Sequence, residues 1–68
     1  MKSVSGKHLC RLAERKGWKL ARISGSHHVF IKNDSNERLV IPVHGKESLK
    51  IGLLRSLMKR IPLEPEDL

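Results

Sequence analysis

Histidine has an unperturbed pKa of about 6.5, so its ring takes up and releases protons near neutral pH. This chain carries four histidines in 68 residues. Three of them, His27, His28 and His44, fall in or beside segments that read as β-strand. His27 and His28 are adjacent, and side chains alternate across a strand, so the two rings project to opposite faces. His27 shares its face with Val29 and Ile31, which predicts an inward position at the edge of a core. His28 shares its face with Phe30 and Lys32, which predicts an outward one. An outward imidazole beside a ring for base stacking and an ammonium for phosphate is equipment for work on a nucleic acid. The plainer readings are a hydrogen-bonded spacer for His27 and an ordinary surface histidine for His28.

Metal chemistry finds little support. Adjacent histidines on one strand cannot both reach one ion from one face, and the single cysteine, Cys10, lies on a separate, helical segment. No Cys-x-x-Cys, His-x-x-x-His or carboxylate cluster supplies further ligands, so no metal and no cofactor are expected. His28 with His44 and a third ligand is the one arrangement left to consider. Cys10 reads as a small, half-buried helix residue rather than a nucleophile, and a lone cysteine offers no internal disulfide.

The surroundings of these histidines are basic. The chain has 14 Lys and Arg against 7 Asp and Glu, a formal charge of +7. Three of the acids, Glu64, Glu66 and Asp67, lie in the last eight residues, so residues 1–60 carry +10. A field of that sign on a small body attracts phosphate backbones, although lysines also serve solubility alone. The length gives room for one small domain, residues 1–68, and a thin core of two layers. That leaves no space for a deep, closed pocket and favours a long polymeric ligand on an open surface. No apolar run approaches the ~20 residues of a membrane span, and the start lacks a signal-peptide core. The expectation is a soluble, cytoplasmic protein.

The elements that must hold the histidines are readable. A helix is predicted over Gly6 to Lys16, capped by Ser5, stapled by Val4 and Leu9, and stopped by Gly17. Three strands follow: Trp18 to Ile23, His27 to Lys32, and Arg38 to Val43, with Ser24-Gly25-Ser26 as the first turn. Short connections make them an antiparallel meander. A second helix runs from about Ser48 or Lys50 to Arg60, with Ile51, Leu54, Leu57, Met58 and Ile61 at helical spacing. Pro62 and Pro65 end it and leave an acidic, loose tail over 62–68. The fold class is α+β, in the order α-β-β-β-α: a three-stranded antiparallel sheet with two helices on one face. That is the layout of the double-stranded RNA-binding domain. It leaves the other sheet face bare, and on this reading the chemistry sits there.

Five stretches carry a more specific likeness: Val4-Ser5-Gly6-Lys7, Gly17-Trp18, Gly25-Ser26-His27-His28-Val29-Phe30, Ile41-Pro42-Val43-His44-Gly45 and Gly52-Leu53-Leu54-Arg55-Ser56-Leu57. In this order and spacing, over residues 4–64, the chain resembles the HicA (YcfA-like) family of mRNA-cleaving toxins from toxin–antitoxin pairs. The resemblance implies the double-stranded RNA-binding-like fold and endonucleolytic cleavage of mRNA without the ribosome and without a required metal. It further implies a catalytic histidine at His28 and a HicB-type antitoxin that covers the active face. His27 fills a slot that varies in the family, and the acidic tail has no counterpart in the motif.

The chemistry can also be built from the residues. Cleavage of RNA needs a base for the 2′-hydroxyl proton, a task for His28. The negative phosphorane calls for cations, and Arg22, Lys32, Lys46 and Lys50 are the candidates, with Phe30 as a stacking ring. His44 is a candidate acid for the leaving group, set against a structural role at the end of the third strand. Ser26 either fixes the loop and the ring or is plain turn chemistry. The alternatives to an endoribonuclease are a non-catalytic RNA-binding module of the same fold and a protein-interaction domain with a cationic face. A binder of either kind needs no base at His28.

Overall fold

The computed structural model describes residues 3–68, so the first two residues of the single-domain reading lie outside it. Helix α1 spans Gly6–Arg15. It starts where the sequence puts it because the Ser5 Oγ accepts a hydrogen bond from the His8 amide at 3.1 Å. Ser5 thereby satisfies one of the free donors of the first turn. Val4 and Leu9, the staple pair, are both buried. Gly17, with φ 98°, turns the chain out of the helix in a conformation that costs a side-chain-bearing residue.

Strands β1 (Trp18–Ser24), β2 (His27–Lys32) and β3 (Arg38–Pro42) form one antiparallel sheet in the order β1-β2-β3. Helix α2 spans Ile51–Arg60. Leu9, Leu12 and Ala13 of α1 and Leu54, Leu57 and Met58 of α2 join Trp18, Phe30, Leu39 and Ile41 of the sheet in one core. Both helices therefore cover the same sheet face, as the element order predicts. Among the described residues, no helix is long and apolar enough to cross a membrane.

The pairing register decides which side chains face the helices. Phe30 stands opposite Leu39 and Leu20, and His28 stands opposite Ile41 and Ile23. Directly opposed residues share a face. His28, Phe30 and Lys32 thus belong to the helix side, while His27, Val29 and Ile31 belong to the open side. This inverts the sequence reading. Strand β2 is apolar on both faces, and burial goes to the larger prize: Phe30 is 1% exposed and packs with Leu39 and Ile41, whereas Ile31 is 38% exposed. Full burial of one such side chain is worth ~1.5–3 kcal/mol.

A bulge in β1 adds a second departure from simple alternation. Leu20 pairs with Phe30 and Arg22 with Val29, leaving Ala21 without an opposite number. The extra residue puts Arg22 on the open face and both Leu20 and Ile23 on the helix side.

Two further contacts shape the ends of the fold. The 43–50 connection is laced down by the Val43 amide to the Ser26 carbonyl at 2.7 Å and the Leu49 amide to the Val4 carbonyl at 2.8 Å. A bridge between Ser5 and Ser48 lies beside them. The expected loose tail is instead folded back. Leu63 is buried, Leu68 packs against the core, and 65–67 form a short 3-10 helix closed by reciprocal Glu64 and Asp67 bonds. Prolines ended α2, as expected, but two leucines gave the segment apolar surface worth covering.

Candidate active site

One end of the sheet gathers most of the predicted residues. Strand β2 begins there with His27 and His28, β3 ends there at Pro42, and the first turn of α1 crosses above it. The approach of α1 to β3 is close enough to demand glycine: a Cβ on Gly6 would lie 2.0 Å from the Pro42 carbonyl oxygen. The absent side chain lets the helix sit low over the strand ends, and α1 reaches His28 from there.

His28 is half-buried. On its β3 side the neighbour, Ile41, is fully buried; on its β1 side Ile23 is 56% exposed. The ring therefore stands at the margin of the core, with packing on one flank and solvent on the other. From above, Cys10 of α1 brings its Sγ to 4.0 Å from the His28 Nδ1. Cys10 itself is 8% exposed, and its thiol is pushed up to about 11, first by burial and then by the nearby Glu14 carboxylate. The thiol stays protonated at neutral pH.

The other predicted residues divide. Ser26 is half-buried in the turn before His28, and its carbonyl holds Val43. His44 is exposed and lies two residues past the end of β3, in a turn closed by the Glu47 amide to the His44 carbonyl at 3.0 Å. His44 and Lys50 line one shallow depression with Pro42, Glu47, Ser48 and Leu53. Lys46 is exposed in the same turn. These residues share the His28 end of the sheet.

Three predicted contacts with RNA sit elsewhere. Phe30 is enclosed in the core, so its ring is not available to stack on a base. Lys32 is at the far end of β2, four residues or roughly 13 Å along the strand from His28. Its ammonium stands 5.5 Å from the Trp18 ring centroid, a cation–π distance. Arg22 is exposed, but on the opposite sheet face from His28 because of the Ala21 bulge. The chemistry expected on the bare face has its leading residue on the covered face, at its rim.

Sequence reasoning also missed neighbours. Cys10 is 18 residues from His28 in the chain, and only the position of Cys10 at the border of the α1 apolar stripe hints at the contact. Leu20, at 44% exposure, and Ile23 lie on the His28 side of β1 and give it an apolar flank. Among the described residues, no group of three or more His, Cys, Asp or Glu side chains is arranged to hold a metal ion.

A half-buried imidazole with Nδ1 against a neutral thiol has its second nitrogen left for proton exchange. The turn over 44–50, with Lys46 and Lys50 exposed, supplies cations at the same end of the sheet. In comparisons with known proteins, a family model described as the HicA toxin of bacterial toxin–antitoxin systems matches residues 6–63. Among curated proteins, none matches the chain at a significant level.

Proposed function

The chain belongs to the HicA toxin family of bacterial toxin–antitoxin systems, and from that premise we propose that it is an endoribonuclease that cuts mRNA without the ribosome. The observation that carries this reading is the placement of His28: fixed in the central strand, half-buried, with its Nδ1 turned to Cys10. In that pose the Nε2 edge is the one left to meet substrate.

The reaction follows from ordinary acid–base chemistry. The neutral Nε2 of His28 takes the proton of a ribose 2′-hydroxyl. The 2′-oxygen attacks the adjacent phosphorus in line, forming the 2′-O–P bond while the bond from phosphorus to the 5′-oxygen breaks. The leaving 5′-oxygen collects a proton, for which His44, exposed at the same end of the sheet, is the candidate donor. Lys46 and Lys50, both exposed, offset the charge that develops on the phosphorane. Arg22 and Lys32, on the other face and at the other end, add to the field that draws RNA in and do not contact the reacting phosphate. No step calls for a metal or cofactor. Ser26 acts through its backbone, tying the turn before His28 to the segment before His44.

Arrest of translation follows from cutting messages, in the cytoplasm where they are. A HicB-type antitoxin that covers the His28 rim and the 44–50 turn would silence the enzyme.

The test is cleavage of a long labelled mRNA by the purified protein, without ribosomes and with EDTA present. Cutting by the wild type and none by a folded His28→Ala variant is the expected result. RNA bound but left intact by both would overturn the enzyme reading and leave a non-catalytic RNA-binding module. Cutting by both would move the base elsewhere, with His44 next.

A further inference from the structure

The geometry points to Cys10 as a positioning residue for His28, one that holds Nδ1–H against its sulfur and so leaves Nε2 as the nitrogen that exchanges protons with substrate. The inference deepens the nuclease reading and rests on it. Its foundation is the 4.0 Å contact from Sγ to Nδ1, made by a residue that belongs to a different element and is itself buried.

A neutral imidazole exists as two tautomers, and only the one protonated at Nδ1 presents a lone pair at Nε2. A base at the rim must be in that form. A thiol can donate as well as accept, so the contact fits either tautomer; on this inference the sulfur accepts and gives the Nδ1–H a partner. The same contact survives the chemistry: when Nε2 takes up the substrate proton, the imidazolium still donates Nδ1–H to sulfur. The proton enters and leaves at Nε2 alone, while the inward edge of the ring stays anchored.

The sulfur must remain a thiol for this to work. A thiolate would pair with the ring as imidazolium and hold it protonated, so that it could not act as a base. Burial and Glu14 both push the Cys10 thiol away from ionisation. The remaining surroundings agree. The cross-strand neighbours of His28 are Ile23 on β1 and Ile41 on β3, neither of them charged. On α1, Lys7 and Glu14 are the exposed residues one turn either side of Cys10. Among the described residues, the Cys10 sulfur is the side-chain group within hydrogen-bonding distance of the inward nitrogen.

The experiment uses the full chain and two variants, Cys10→Ala and Cys10→Ser, each checked for fold by circular dichroism. Long-range proton–nitrogen NMR of the His28 ring, at a pH where it is neutral, reads the tautomer directly and needs no activity. The wild type should show Nδ1 protonated. Cys10→Ala should shift the ring toward the Nε2–H form, and Cys10→Ser, whose hydroxyl also accepts, should restore part of the Nδ1–H population. In mRNA cleavage, Cys10→Ala should lower kcat roughly three- to tenfold, the equivalent of one modest hydrogen bond, with KM unchanged. An unchanged tautomer ratio in folded Cys10→Ala overturns the inference, as does a shifted ratio with unchanged kcat. A wild type that shows the Cys10-dependent tautomer yet cuts no RNA overturns the nuclease reading, and the catalytic purpose of the contact with it, while the contact itself stands.

Discussion

On the helix-covered face of the sheet, Phe30, Leu39 and Ile41 close into the core and His28 stands at its border; on the open face, the same strands set Val29, Ile31 and Val40 among Lys19, Arg22, His27 and Arg38. Two consecutive histidines therefore live under different constraints. His27 is exposed and, among the described residues, has no hydrogen-bonded side-chain partner, whereas His28 has packing on one side and a sulfur above it. A proton-transfer group works best when its own geometry is fixed by neighbours and one reactive edge is free. The open face supplies charge without that fixation. The covered face supplies fixation, and its rim supplies access.

The sharpest test of this contrast is the histidine pair. His28→Ala should reduce mRNA cleavage by about 10²–10⁴-fold, the usual worth of a positioned general base. His27→Ala should leave cleavage within about twofold of wild type, because the ring faces away from the site. The reverse pattern would show that the open face does the chemistry.

The next contrast concerns stability rather than rate. Phe30→Ala should cost ~3–5 kcal/mol in urea denaturation, enough to unfold much of a small domain. Its neighbour on the open face, Ile31→Ala, should stay within about 1 kcal/mol. Equal losses would mean that both faces are covered in solution.

A smaller effect is expected at the contact between α1 and β3. Gly6→Ala drives a Cβ against the Pro42 carbonyl and should destabilise by ~1–3 kcal/mol, read as a lowered Tm. Because α1 carries Cys10, the variant should also lose cleavage at temperatures where it remains folded.

The last effect is a pH dependence, small near neutral pH. The Cys10 thiol ionises at about 11 when folded against 9.0 ordinarily, so the unfolded chain gives up this proton first. Stability should fall as pH rises across that window, and the fall should be shallower in Cys10→Ala. Equal slopes in denaturant titrations would place the thiol in contact with water and weaken the contrast between the faces.

Much of the fold was legible because its signals are local. Ser5 and Gly17 bracket α1, and the turn at Gly25 sets the first hairpin. The faces of β2 were not legible, since alternation in His-His-Val-Phe-Ile-Lys satisfies either side. Only the partner strands, with Leu39 and Ile41 aligned to Phe30 and His28, settle it. The Ala21 bulge leaves no mark in composition, so the face that Arg22 takes was not legible. His28 was singled out as a candidate by its motif and by its residue type. Its partner Cys10 was not found as one, because the contact joins a helix to a strand across 18 residues. The tail failed for a similar reason: Leu63 and Leu68 meet surface made by distant residues.

The indole of Trp18 has a use beyond packing. It is the one tryptophan in the chain, it is buried, and its Nε1–H donates to the Ile61 carbonyl at 3.1 Å. The chromophore is thus tied to the segment that leaves α2, while Lys32 roofs its ring. Its emission is a built-in gauge of whether the C-terminal segment is docked, at the end of the sheet away from His28. A red shift in fluorescence would report undocking there, and occupation of the His28 rim would leave the colour unchanged. One native fluorophore therefore separates loss of the scaffold from events at the His28 end, with no label attached.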